Sequence, residues 1–99
     1  MIKVVDIKAI KEDLEAKAFN LIDVREADEF AAGRVPGAVN LPLSELASRY
    51  QGLAADKPYH IICQMGTRSA QACAFLDSKG YDVTNISGGT SAWMGALEQ

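Results

Sequence analysis

The run Tyr59-His-Ile-Ile62 has the length and side chains of a buried strand, and it stops abruptly at Cys63. From Ser69 onward Ala, Gln, Cys, Phe, Leu and Lys read as a helix. A buried strand that passes through a tight loop straight into a helix constrains the fold strongly. It places a reactive atom at the strand tip, and it turns successive backbone N–H groups of the loop toward one point, which makes a cradle for an anion. Here the anion would be the sulfur of Cys63. Gly66 suits a loop that curls its amides inward, because such loops need a residue tolerant of positive φ, and Arg68 supplies a fixed cation.

The rest of the chain alternates around this unit. Ile2 to Val5 is a short strand, and Asp6 caps a helix with Ile7, Ile10 and Leu14 on its apolar face. Phe19 to Val24 is a second strand. Glu26, Asp28 and Glu29 suit the positive end of a short helix anchored by Phe30 and stopped at Gly33. A turn at Pro36-Gly37 leads to a very short strand, Ala38 to Leu41. Ser44 is positioned to cap a helix whose face is Leu43, Leu46, Ala47 and Tyr50, with Gly52 closing it. After the Cys63 loop, Ser69, Ala72, Cys73 and Leu76 share a helical face up to Gly80. Tyr81 to Ile86 is the last strand, and Ser91 to Leu97 reads as a final helix with Trp93 packed inward. Strands alternating with helices over residues 1–99 predict one α/β domain, with a mostly parallel sheet and helices on both faces. Ligands of such sheets bind beyond the carboxyl ends of the strands, where Cys63 stands.

Composition narrows the partners. A net charge of −3 with no basic run argues against nucleic acid or a membrane surface as a partner, so an anionic substrate must be caught locally. The two cysteines, Cys63 and Cys73, are too few for a secreted disulfide framework, and a single histidine, His60, makes a zinc site improbable. The N-terminal residues carry no apolar leader core, and no apolar run is long enough to cross a membrane. The expectation is a reduced, cytoplasmic monomer with no metal and no cofactor.

A thiol is a weak nucleophile until it ionises, and inward N–H groups, a helix start and Arg68 favour the thiolate, so a lowered pKa is expected at Cys63. Strand alternation points His60 to the face opposite Cys63, which leaves activation to the loop rather than to a Cys–His pair. Such a thiolate can hold an extra sulfur atom as a persulfide within the ring from Cys63 to Arg68, and a slightly larger ring holds phosphate, so loop size decides between these chemistries. Cys73 falls within an apolar helical stripe and reads as core. Asp23 and Arg25 read as supporting residues, since a carboxylate ending an apolar strand needs a partner, and either Arg25 or Arg34 can provide it.

Four motifs together resemble a known family. Asp-Val-Arg-Glu at 23–26, Glu-Phe-Ala-Ala-Gly-Arg-Val-Pro-Gly-Ala at 29–38, the Cys63 to Ser69 loop, and Gly88-Gly89 with Trp93 are similar to the single-domain rhodaneses, which are sulfurtransferases. The resemblance spans Leu21 to Trp93. It implies a five-stranded parallel sheet with flanking helices, a persulfide on Cys63, and a pocket lined by Gln64, Met65, Gly66, Thr67 and Arg68. The family's phosphatase and arsenate-reductase relatives have one more residue between cysteine and arginine than the four found here, which favours sulfur transfer. Arg34 stands where the family motif commonly has histidine and would add a cation near the pocket. The implied activity is that of a thiosulfate sulfurtransferase-like enzyme, taking sulfane sulfur from a small anion and passing it to cyanide or a thiol. The alternative is a persulfide relay module fed by a partner protein, for which the apolar, exposed Met65 would suit a protein surface.

Overall fold

The computed structural model describes residues 2–99, and its centre is a five-stranded sheet in the order β1-β5-β4-β2-β3. The strands are β1 (Lys3–Asp6), β2 (Leu21–Asp23), β3 (Val39–Asn40), β4 (Pro58–Ile62) and β5 (Asp82–Ser87). Every pairing between them is parallel. Four helices connect them: α1 (Lys11–Glu15), α2 (Ala27–Ala32), α3 (Leu43–Arg49) and α4 (Thr67–Ser78). The predicted class holds, with a 3-10 turn at Ile7–Ile10 preceding α1 and an Asp6 side chain that accepts from Lys8 N–H as its cap.

Alternation along β4 divides the core into two layers, one on each face of the sheet. Tyr59, Ile61 and Cys63 face α3 and α4, where they meet Leu46, Ala72, Cys73 and Leu76. Ile62 faces the other way, toward Ile7, Ile10, Leu14, Val35 and Ile86. His60 lies on this second side, stacked on Phe19 with ring centroids 3.8 Å apart, and burial holds its pKa below the ordinary value. On α4 the predicted stripe of Ser69, Ala72, Cys73 and Leu76 is buried in full.

Three local expectations change. The strand expected from Phe19 to Val24 is confined to Leu21–Asp23. Ser44 does not cap α3: Pro42 occupies the cap position, Leu43 N–H already donates to Val24 O, and the Ser44 hydroxyl donates to Glu26 Oε1 at 2.6 Å. Ser91 to Leu97 is not a helix, and only a 3-10 turn forms at Thr90–Ala92. The backbone turns extended at Trp93, whose half-buried ring folds back over Gly95 and donates from Nε1 to Ala96 O. This extended course carries Glu98 into an antiparallel bridge with Arg34, closed by Arg34 N to Glu98 O at 3.0 Å and Glu98 N to Arg34 O at 2.8 Å.

At the carboxyl end of the sheet, the tip of β2 buries a carboxylate. Asp23 takes Arg25 Nε on both oxygens, at 3.2 and 3.1 Å, and Arg25 Nη2 on Oδ2 at 3.0 Å. Both side chains are buried, and the same Nη2 donates to Gly33 O at 2.7 Å. The partner left open by the sequence is therefore Arg25, not Arg34. Removing one member of a buried pair strands the other's charge, a loss of about 3–5 kcal/mol. Asp23→Ala is expected to lower unfolding free energy by that order in urea titration; a loss under about 1 kcal/mol would show that Arg25 finds other compensation.

Candidate active site

The Cys63 sulfur sits one residue beyond β4, with Ile62 paired to Asp23 on one side and Ile61 paired to Asn85 on the other. Gly66 N–H donates to it at 3.1 Å and Ser69 N–H at 3.2 Å, while Ser69 Oγ shares a hydrogen bond with it at 3.3 Å. Cys63 is 1% exposed, so burial pushes its pKa up. The Ser69 hydroxyl and the N–H groups of Ser69, Gly66 and Met65 outweigh that penalty and hold the thiol below its ordinary value of 9.0. The expected direction is met, and hydrogen bonds account for it. Cys73, in the same core layer and also a free thiol, receives no such bonds; burial, then repulsion from Asp77 and Cys63, push it up to about 12.

Two glycines make the ring possible. Gly66 has φ of 106°, and this left-handed turn brings its amide inward just before α4 begins. Gly89, with φ of 62°, comes so close to the loop that an added Cβ would lie 2.5 Å from both Cys63 O and Gln64 O. The next two amides use this approach: Thr90 N–H donates to Cys63 O at 2.9 Å and Ser91 N–H to Gln64 O at 3.0 Å. From β5, Asn85 Nδ2 reaches Gly66 O at 3.4 Å. The loop is thus held from below as well as along its own chain.

Above the sulfur opens a cavity of about 210 Å³ lined by Cys63, Gln64, Met65, Thr67 and Arg68. Gly66 contributes its amide to the sulfur. Arg25 is joined to this rim by its Nη1, which donates to Gln64 Oε1 at 3.3 Å. Arg68 is not a free cation. Its Nη1 and Nη2 grip Glu29 Oε1 and Oε2 at 2.7 and 3.0 Å, and this pairing, ahead of burial and the Glu26 N–H bond, sets the Glu29 pKa at about 2. Arg34 is placed elsewhere. Its guanidinium lies 4.6 Å over the Phe30 ring, donates to Phe30 O and faces Glu98, so the extra cation expected at the pocket serves the C-terminal bridge instead.

The model of the rhodanese-like domain matches residues 6–96. The chain belongs to this family. It is 40% identical over 95 residues to the putative sulfurtransferase YtwF of Bacillus subtilis, covering 95% of this chain and 92% of that protein. It is 32% identical to the thiosulfate sulfurtransferase GlpE of Shewanella oneidensis, over 92% of this chain and 91% of that one. A rhodanese-like domain protein from Staphylococcus aureus superposes with a TM-score of 0.87 at 32% identity, covering 98% of this chain and 97% of that structure.

Within this rhodanese-like domain the sequence reading missed four contributors to the site. Ser69 read as the end of the loop and the first residue of a buried stripe, although a hydroxyl in the first turn after the loop is placed to reach the cysteine sulfur. Glu29 read as a helix-dipole residue. Its second role, across the pocket to Arg68, has no local signature. Asn85 and Thr90 lie far along the chain and reach the loop only through the sheet.

Because the folded Cys63 pKa is depressed, its thiolate favours the fold fully above pH 9.0, and that contribution fades as pH falls through the folded value. Iodoacetamide is expected to modify Cys63 at lower pH than an ordinary thiol and to spare Cys73 in the native protein. Ser69→Ala should move the rate–pH profile of alkylation upward; an unmoved profile would remove Ser69 from thiolate stabilisation.

Proposed function

We propose that this chain is a sulfurtransferase that carries sulfane sulfur as a persulfide on Cys63. The observation that supports it most is the nest of Gly66 N–H, Ser69 N–H and Ser69 Oγ around a sulfur at the tip of a central strand. In the first step the Cys63 thiolate attacks the sulfane sulfur of a donor. A sulfur–sulfur bond forms to Sγ, and the donor's own bond to that sulfur breaks, its electron pair leaving with the donor; thiosulfate departs as sulfite. The terminal persulfide sulfur then keeps the negative charge, which loop amides and the start of α4 favour. In the second step a thiolate or cyanide attacks the terminal sulfur, and Sγ leaves as thiolate. No metal or cofactor enters either step. Relatives named sulfurtransferase and thiosulfate sulfurtransferase support the same reading.

The four residues between Cys63 and Arg68 favour sulfur over phosphate, as one sulfur atom needs a smaller ring than a tetrahedral oxyanion. Gln64 and Thr67 offer polar contacts at the rim, and Arg68 carries positive charge there. Met65, 72% exposed beside the opening, favours a second reading in which a partner protein delivers or receives the sulfur. A cytoplasmic setting fits a chain whose chemistry needs a reduced thiol. Residues 1–99 act as a single domain in this reading. Among the described residues no helix is long and apolar enough to cross a membrane.

Intact mass after thiosulfate treatment tests the reading. Wild type should gain one sulfur atom, lose it to cyanide and yield thiocyanate, whereas Cys63→Ser should gain none. If small donors leave the protein unloaded but a persulfidated protein loads it, the relay reading replaces the enzyme. Arg68→Ala should raise the thiosulfate KM by about tenfold, an effect of ~1.4 kcal/mol, with little change in melting temperature. Unaltered donor kinetics would take Arg68 out of the donor site.

A further inference from the structure

We propose that Glu29 sets donor choice: by neutralising Arg68 it makes the Cys63 pocket a site for sulfane sulfur carried on an organic persulfide, and a poor site for a dianion such as thiosulfate. This rests on the Cys63-persulfide reading and names its substrate class.

The charges around the opening carry the argument. Two guanidinium groups reach the loop, and each is held by a carboxylate. Arg25, which touches Gln64, is bound to buried Asp23. Arg68, which lines the cavity, is gripped by Glu29 through two parallel bonds. Glu29 is itself fixed, because its Oε1 also accepts from Glu26 N–H at 3.0 Å in the capping box of α2. A third carboxylate, Glu26, closes that box and acts on Arg68 through its charge. Among these side chains three carboxylates, Asp23, Glu26 and Glu29, outnumber the two guanidinium groups, even before a Cys63 thiolate is counted. The loop amides that offset the thiolate are already aimed at Sγ.

A dianion approaching this thiolate meets like charge without a free cation to receive it. An organic persulfide of formula RSS⁻ or RSSH brings one negative charge at most, and its carbon group can lie against Met65. The cavity of about 210 Å³ is several times the ~30 Å³ share of one water, so it has room for a carrier group beside the transferred sulfur. The step balances: Cys63 Sγ⁻ attacks the terminal sulfur of RSSH, the R–S to S bond breaks, RS⁻ leaves with the electron pair, and Cys63 becomes Sγ–SH. No outside oxidant or reductant takes part.

Glu29→Gln is the test, because an amide keeps the oxygen that caps Glu26 N–H and one bond to Arg68 while removing the charge. The ratio of kcat/KM for thiosulfate to kcat/KM for the persulfide of 2-mercaptoethanol should rise about tenfold, chiefly through a lower thiosulfate KM. In the wild type, which involves no folding risk, kcat/KM for thiosulfate should increase with sodium chloride, as expected for a repelled encounter, and Glu29→Gln should flatten or reverse that slope. A ratio unchanged in the variant, or a wild-type thiosulfate rate that falls with salt, overturns the assignment of Glu29. Loading of Cys63 by either donor, read by intact mass, would leave the sulfur-transfer reading standing in that case. Failure of both donors to load Cys63 overturns both.

Discussion

A buried sulfur whose pKa lies below the ordinary thiol value is the condition that the structure around Cys63 has to satisfy. Burying a charge without partners is prohibitive, so a group in that position normally stays neutral. Cys63 is 1% exposed and its pKa is nevertheless depressed, which requires that hydrogen bonds reach the sulfur in the right directions. The donors come from Gly66, Met65 and Ser69, all within the loop and first turn that follow β4. Their convergence needs a left-handed residue at Gly66 and a helix that starts at Thr67. The local sequence supplies both.

Holding that loop in place falls to residues distant in sequence. The parallel sheet lines up the carboxyl ends of β2, β4 and β5, so that the Asp23–Arg25 pair flanks Cys63 on one side and the Gly88-Gly89 turn on the other. Gly89 has no side chain, and this lets the backbone of Thr90 and Ser91 bond the carbonyls of Cys63 and Gln64. Bonding these two carbonyls fixes the start of the loop, and the amides that reach the sulfur follow it at Gly66 and Ser69.

Much of this was legible in the sequence where a short-range rule applied. Strand alternation placed His60 and Cys63 on opposite faces, and helical spacing picked out Ser69, Ala72, Cys73 and Leu76. What escaped were choices among long-range partners. Asp23 had Arg25 and Arg34 both open to it and takes the nearer one, whereas nothing local says that Arg34 pairs with Glu98 and Arg68 with Glu29. The final segment failed for a related reason. Gly95 weakens its helix propensity, and the backbone, extended at Trp93, runs on to the Glu98 bridge with Arg34, so a long-range pairing wins over a local helix.

The two cysteines show which of these factors lowers a thiol pKa. Cys63 and Cys73 lie in the same apolar layer, and both are buried, although only Cys63 borders the cavity. If burial alone governed the thiol, both pKa values would rise. Cys73, in the second turn of α4, has its neighbouring amides committed to the helix, and its pKa climbs to about 12. Cys63 precedes that helix, where the leading N–H groups have no partners within it, and they turn to the sulfur instead. Moving a thiol from the middle of a helix to the point just before it thus turns an upward pKa shift into a downward one. The Ser69 hydroxyl and the unpaired amides at the helix start supply the difference, and the parallel sheet sets that start at the tip of its central strand.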